Sequence, residues 1–357
     1  MPTSKSQART RTSRTKKPQP VPRETELAPS VATLDAVARA AEVSSATVSR
    51  FFNSPAMLSA RTAQRVRDAV ERLGYIPNLL AGGLASSRTR LVAAVIPEIS
   101  QSLFASTIQS LSDTLAEKGY GVMLGLTGAR DEHVERQILS IIGRRPEGII
   151  LTGANLSLET RRRLKSSEIT TIETWDLPPE PVDLVVGFSH EAVGRAVALH
   201  ALKAGRRRAF VASATGVRAL ARRYGFAKAM LEGGASEPVV AAFASPTTYR
   251  YGRTAVAAHL EGGGRPDIII CSSDWSAHGA LDELRSREIK VPDDIAVIGF
   301  GDLEFASDIE PSLTTVKIDG HVIGLKAAEF LLRRTQGQRI DEPVVDIGFT
   351  LVRRASG

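Results

Sequence analysis

From Leu91 onward, short apolar runs alternate with amphipathic segments, and this rhythm constrains the fold more than any other feature of the chain. The runs are Leu91–Ile96, Gly121–Leu126, Gly148–Leu151, Ile169–Ile172, Leu184–Phe188, Ala209–Val211, Val239–Phe243, Ile268–Cys271 and Ala296–Phe300. Each is short and nearly continuous, as a strand buried on both faces requires. Helical stripes lie between them; Phe104, Ile108, Leu111 and Leu115 fall on one face of such a helix. Alternation of this kind builds parallel sheets. It occupies roughly 260 residues of a 357-residue chain, which predicts two sheets. No apolar stretch reaches the roughly 18 residues of a membrane span, so no membrane partner is expected. The single cysteine, Cys271, excludes an internal disulfide framework and fits a reducing compartment. His133, His190, His200, His259, His278 and His321 are scattered, with no ligand spacing, so neither a metal nor a cofactor is expected.

The front of the chain follows a different rule. Thr33 caps a first helix whose apolar face is Val37, Ala38 and Ala41. Glu42 and Val43 form a short turn. Ser44 then caps a second helix, with Val48 and Phe51 directed back at the first. Ser45, Ala46, Thr47, Ser49 and Arg50 are left on its free face. Small polar groups with one arginine on a second helix suit a reader of the DNA major groove, since hydroxyls bond phosphates or base edges and arginine bonds guanine or phosphate. Two packed surface helices without a DNA role would show the same local pattern. Ser59 caps a third helix carrying Ala63, Val66, Ala69, Val70 and Leu73, and Gly74 ends it. The charge is also placed at the front. Residues 1–90 hold 15 Lys/Arg and 6 Asp/Glu, a balance of +9, while the remainder holds 31 and 33, a balance of −2, which together give the net +7. A polyanion partner is therefore expected at the front and a near-neutral domain behind it. Residues 1–30 are rich in Ser, Thr, Pro, Arg and Lys and read as a disordered basic tail. That tail either adds unspecific phosphate attraction or is a solvated leader.

Thr33-Leu34, Val37-Ala38, Val43-Ser44, Thr47-Val48-Ser49-Arg50, Asn53, Ser59, Thr62 and Gly74-Tyr-Ile-Pro-Asn78 together resemble the DNA-binding head of the lactose/galactose repressor family (LacI/GalR). The resemblance continues to about residue 353. It implies a helix-turn-helix head over residues 31–76 and a hinge helix or linker over 77–90. Behind them it implies an α/β effector domain of the two-lobed, type I periplasmic-binding-protein kind, with parallel sheets. The first lobe would comprise 91–188 with 317–340 and the second 189–316 with 341–357. Crossovers are expected near Phe188, Val316 and Ile340. The DNA contacts carried over are Thr33, Leu34, Ser44, Ser45, Ala46, Thr47, Ser49, Arg50, Asn53, Ser59, Thr62, Tyr75 and Asn78. In the family the hinge helix folds on DNA, and Leu84, with Ala81 beside it, matches the leucine that wedges open a central base step in the minor groove. Gly82 and Gly83 weaken the isolated helix by roughly 1 kcal/mol each relative to Ala, so ordering on DNA is a natural point of control; a plain flexible linker is the alternative. Glu42 stands where the family often has Gly or Asn, at a cost of order 1 kcal/mol if the position is left-handed. Ser45 and Ala46 are small where base readers are often larger, which leaves the half-site sequence open.

Ligands of open α/β sheets sit beyond the carboxyl ends of the strands. In the loops there, Arg222 of Arg222-Arg-Tyr-Gly225 matches the family's Arg-x-x-Gly motif, whose arginine binds sugar hydroxyls or a carboxylate. Asp274 follows a strand and matches the second member of an Asn-Asp pair, with Ser273 replacing the Asn. Asp302 matches the second of an Asp-Asp pair, with Gly301 replacing the first. Glu98, Phe104, Glu173, Trp175 and Tyr249 are further candidates to line the cleft, each with a packing or surface role as the alternative. Ile149-Ile-Leu-Thr152, Asp183-Leu-Val-Val-Gly-Phe188 and Asp346-Ile-Gly-Phe-Thr-Leu351 are similar to the gluconate-repressor branch. A carboxylate effector suits Arg222, whereas Glu98 would repel one unless a donor intervenes. The resemblance thus implies a cytoplasmic, nucleoid-associated bacterial repressor. It would bind double-stranded, palindromic operator DNA as a homodimer or tetramer and respond to a sugar or sugar acid such as gluconate. A corepressor-dependent regulator and a solute-binding protein of the same rear fold are the alternatives. An enzyme is not expected, because no nucleophile elbow, phosphate loop or metal motif accompanies the acids.

Overall fold

The computed structural model describes residues 32–77, 89–97, 99, 102–128, 131–153, 156–243 and 247–357. The chain divides into two units, Met1–Ser86 and Ser87–Gly357. In the first, α1 (Leu34–Ala40), α2 (Ser45–Asn53) and α3 (Ala60–Leu73) enclose a core of Val37, Ala38, Ala41, Val48, Val66, Ala69 and Tyr75. Each helix starts at a hydroxyl that accepts a backbone N–H three residues on: Thr33 from Ala36, Ser44 from Thr47 and Ser59 from Thr62, all at 3.2 Å. These caps satisfy donors that no helix can satisfy itself. Gly74 closes α3 in the left-handed conformation, φ 59°.

The second unit holds two six-stranded sheets. The first contains β1 (Leu91–Ile96), β2 (Gly121–Leu126), β3 (Gly148–Thr152), β4 (Thr170–Thr174) and β5 (Leu184–Gly187). The second contains β6 (Ala209–Ala214), β7 (Val239–Phe243), β8 (Ile268–Cys271), β9 (Ala296–Gly301) and β10 (Thr314–Lys317). Helices α4 (Ala105–Ala116), α5 (Asp131–Ile142), α6 (Leu158–Ser166), α7 (His190–Lys203), α8 (Val217–Glu232), α9 (Tyr249–Glu261), α10 (Asp274–Ser286) and α11 (Gly320–Thr335) connect and cover them. Every residue of β3 and β5 is buried, which explains their nearly continuous apolar sequences. The edge strands β2 and β7 are largely open to solvent.

Three strands carried no usable signal in the sequence: β10, β11 (Val344–Asp346) and β12 (Thr350–Val352). They also correct the lobe boundaries. β11 pairs in parallel with β5, Val344 opposite Val185, and so belongs to the first sheet. β12 pairs antiparallel with β10 in the second. The third crossover therefore lies at residues 347–349 rather than near Ile340, because Val344–Asp346 finds its ladder partners on the open side of β5.

One helix crossing sets up the site described next. α7 and α8 approach until their backbones nearly touch. A Cβ on Gly194 would lie 2.0 Å from the Arg222 carbonyl oxygen, and one on Gly225 would lie 2.1 Å from that of Glu191. Only glycine at both positions lets the helices meet this closely. The crossing brings the first residue of α7 against the middle of α8.

Candidate nucleic-acid interface and effector cleft

In the three-helix unit, α2 turns Val48 fully inward and leaves Ala46, Arg50 and Asn53 exposed. Helical spacing puts these three on one side. Asn53 donates to the Ser49 carbonyl at 3.0 Å, which steadies the end of the helix. Ser45 donates its hydroxyl to Asp35 of α1 at 2.6 Å, tying the two helices together. Thr33, Ser44, Thr47, Ser59 and Thr62 all take part in caps, with Ser44–Thr47 and Ser59–Thr62 hydroxyl pairs at 2.9 Å. Leu34 packs against the core. Tyr75, expected at the DNA, is buried instead, 9% exposed and 6.1 Å from the Phe52 ring. Glu42 is left-handed, φ 52°. Arg65 of α3 donates to both its carbonyl and its carboxylate at 3.0 Å, which holds the strained turn in place. Asn78, Ala81 and Leu84 lie outside the described residues, as does Glu98.

In the two-lobed unit the α7–α8 crossing builds a cluster at the carboxyl ends of the strands. His190 is 4% exposed. Its Nδ1 accepts from Arg222 Nη1 at 2.9 Å, and its Nε2 lies 2.9 Å from the Trp175 carbonyl oxygen. An arginine is always a donor, so the imidazole proton belongs on Nε2, donated to that carbonyl. Burial, and then the charges of Arg222 and Arg218, push the imidazole down to about 2, so it is neutral. The Arg222 guanidinium lies 4.1 Å over the Phe300 ring, and burial and the neighbouring Arg218 lower it to about 9.

The first lobe supplies the facing wall. Trp175 follows β4 with φ 67° and is 1% exposed; its indole donates to Thr107 at 3.0 Å. Phe104 meets the indole edge-on at 5.0 Å, and the Arg218 guanidinium lies 5.7 Å from the Phe104 ring centroid. Asp176, next in sequence, stands in the field of both arginines, yet burial raises its carboxyl above the usual range.

Phe104, Trp175 and Arg222 are thus brought together. Four other expected contacts are spent internally. Asp274 is 0% exposed and accepts from Thr315 at 2.5 Å and from the Leu303 N–H at 2.7 Å; burial pushes it up to about 6. Asp302 is ion-paired with Arg354 at 2.7 Å. Glu173 pairs with Arg161 at 3.1 Å and accepts from Val182 N–H at 2.7 Å. Tyr249 donates its hydroxyl to Asp282 of α10 at 2.5 Å. Sequence reading missed His190, Arg218 and Asp176. Arg218 had a usable signal, one helical turn before Arg222. Among the described residues no cluster of His, Cys, Asp and Glu could hold a metal ion, and no helix is long and apolar enough to cross a membrane.

Residues 33–78 match the family model for bacterial regulatory proteins of the lacI family, and residues 198–357 match a periplasmic binding protein-like domain. The HTH-type transcriptional regulator GntR of Pseudomonas aeruginosa is 33% identical over 91% of this chain and 95% of its own length. GntR of Escherichia coli is 27% identical over 89% of this chain and 96% of its own. Among solved structures, a LacI family regulator from Silicibacter pomeroyi superposes with a TM-score of 0.85 at 30% identity, covering 91% of this chain and all but 1% of its own, since 99% is aligned.

Proposed function

The chain belongs to the lacI family of bacterial regulatory proteins, DNA-binding transcriptional regulators, and from that premise we propose that it is a repressor released from its operator by a sugar acid. The observation that carries the effector class is Arg222. Its guanidinium is desolvated, lies over an aromatic ring and is bonded to a neutral histidine rather than to an acid. A desolvated cation with no acid in ion-pair contact is costly, and a ligand carboxylate supplies such a partner through charge-assisted hydrogen bonds. The polyol part of such a ligand would lie along the Phe104 and Phe300 rings. D-Gluconate is the first compound to try.

In the three-helix unit, Ala46, Arg50 and Asn53 present the side of α2 that enters the major groove. The protein acts as a homodimer on a palindromic operator in the cytoplasm. Exposed apolar side chains along both edge strands support a second copy: Leu124 and Leu126 on β2, and Val239, Val240 and Phe243 on β7, are 41–52% exposed. The protein binds its ligand without turning it over; of the three acids that could be imagined as paired carboxylates, Asp274, Asp302 and Glu98, the first two are occupied within the fold.

Fluorescence anisotropy of the full-length protein on its own upstream DNA, titrated with D-gluconate and other sugars and sugar acids at fixed salt, tests this reading. Salt is held constant because phosphate contacts make affinity salt-dependent. Release by a sugar acid and not by its neutral parent sugar is expected. Tighter operator binding with the ligand would make it a corepressor, and absence of specific binding over competitor DNA would refute the regulatory reading of this operator.

A further inference from the structure

α8 carries Arg218 one turn before Arg222. Residues four apart on a helix share a face, so two guanidinium groups stand on one wall of the cleft. Burial lowers both below the ordinary arginine range, and the charge of Arg218 lowers Arg222 further. Like charges so placed repel, and a desolvated cation calls for an anion. Arg222 holds a neutral imidazole at 2.9 Å, and Arg218 Nη2 donates to the Gly153 carbonyl at 3.4 Å, a long bond. Among the described residues no carboxylate stands within the 4.0 Å ion-pair distance of either guanidinium. Asp176 is the acid whose field reaches both, and it accepts from the Leu177 N–H at 2.8 Å.

Arg218 also reaches across the cleft. It belongs to the second lobe, yet its partners, the Gly153 carbonyl and the Phe104 ring, belong to the first. Gly153 makes room for it: φ is +62°, and a Cβ there would lie 1.9 Å from Arg218 Nη2.

We propose that Arg218 is a second effector-binding residue, which with Arg222 clamps the carboxylate of a sugar acid and, through Gly153 and Phe104, couples that ligand to the angle between the lobes. This rests on the reading of the cleft as a sugar-acid site. A carboxylate between the two guanidiniums relieves their repulsion and draws Arg218 off the Gly153 carbonyl. The side chain that senses the ligand is then the one that changes a contact between lobes, which is what linkage between effector and operator needs.

Isothermal titration calorimetry on the full-length wild type, Arg218→Gln, Arg218→Lys and Arg222→Gln tests it. The probes are a panel of sugar acids led by D-gluconate, with D-glucose as the neutral control and D-glucose 6-phosphate as the phosphate-bearing one. Thermal melts establish that each variant is folded, and Arg218→Lys carries the comparison if Arg218→Gln is not. Losing one charge-assisted partner should weaken sugar-acid binding roughly 10- to 100-fold, with glucose equally weak in all proteins. Lysine should recover only part, because it restores the charge without the planar fork. At saturating ligand, Arg218→Gln should also release less operator than wild type. Equal sugar-acid affinity in wild type and the folded Arg218 variants would overturn this proposal and leave the sugar-acid reading standing. A wild type that binds no sugar acid would overturn both. Preference for glucose 6-phosphate over every sugar acid would assign the clamp to phosphate and overturn the carboxylate assignment.

Discussion

Replacing His190 by Gln removes a titrating group while keeping its two hydrogen bonds. The Gln amide can donate to the Trp175 carbonyl and its oxygen can accept from Arg222, the two contacts the imidazole makes at 2.9 Å. The difference between the proteins should then appear in the pH dependence of stability. In the unfolded chain the imidazole titrates near 6.5, whereas in the folded protein burial and two arginines hold it down at about 2. A depressed folded-state value means that folding excludes a proton the unfolded chain would bind. The stabilisation is therefore complete above the unfolded value and is lost as pH falls below about 6.5.

The magnitude does not depend on how far the folded value is depressed. Any value well below 5 leaves the folded imidazole neutral down to pH 5.5, so the loss between pH 7.5 and 5.5 is set by the unfolded chain alone. It comes to about 1.4 kcal/mol, and to about 2.7 kcal/mol by pH 4.5. His200 and His259 are also lowered by burial, and Asp274, raised to about 6, works in the opposite sense as pH rises. All three are present in both proteins and cancel in the comparison. Equilibrium urea unfolding of wild type and His190→Gln at pH 7.5, 6.5 and 5.5, followed by tryptophan fluorescence, measures the difference. The wild type should lose about 1.4 kcal/mol more than the variant between the outer two pH values. Parallel pH profiles would refute the buried, neutral His190 and with it the hydrogen-bond assignment that gives Arg222 a neutral partner.

Arg50→Ala should abolish discrimination between the operator and competitor DNA while leaving the melting temperature of the head within a degree or two, because Arg50 is exposed on α2; unchanged operator affinity in a gel-shift titration would remove it from the interface. Glu42→Gly relieves a left-handed residue, worth about 1 kcal/mol, against loss of a surface ion pair worth about 0–1 kcal/mol. Arg65 keeps its bond to the residue-42 carbonyl, so the variant should melt at the same or a higher temperature by calorimetry, and a clear drop would show that the ion pair dominates. Gly194→Ala places a methyl group 2.0 Å from the Arg222 carbonyl oxygen. Forcing α7 and α8 apart should cost about 1–3 kcal/mol and weaken sugar-acid binding; a variant as stable as wild type, with equal affinity, would mean that the crossing does not position the cluster.

What the sequence disclosed and what it concealed divide by the distance over which the deciding interaction acts. Thr33, Ser44 and Ser59 were legible as caps because each bonds an N–H three residues away, and Glu42 as strained because backbone conformation is local. β1, β3 and β5 were legible because burial on both faces imprints an apolar run. β10, β11 and β12 were not, being three or four residues long with polar members. The polar residues failed for a different reason. Asp274, Asp302 and Tyr249 stand in loops and helix starts where ligands bind, but each is taken by a partner 41, 52 or 33 residues away. No local pattern tells a carboxylate that will face a ligand from one that will meet Thr315 or Arg354. The converse holds for Arg222, whose partner His190 lies 32 residues back and is neutral. A binding site in such a fold is what internal pairing leaves over. In this cleft the remainder is two guanidinium groups with no acid in ion-pair contact, and that remainder, more than any single motif, is what supports the proposal of an anionic ligand.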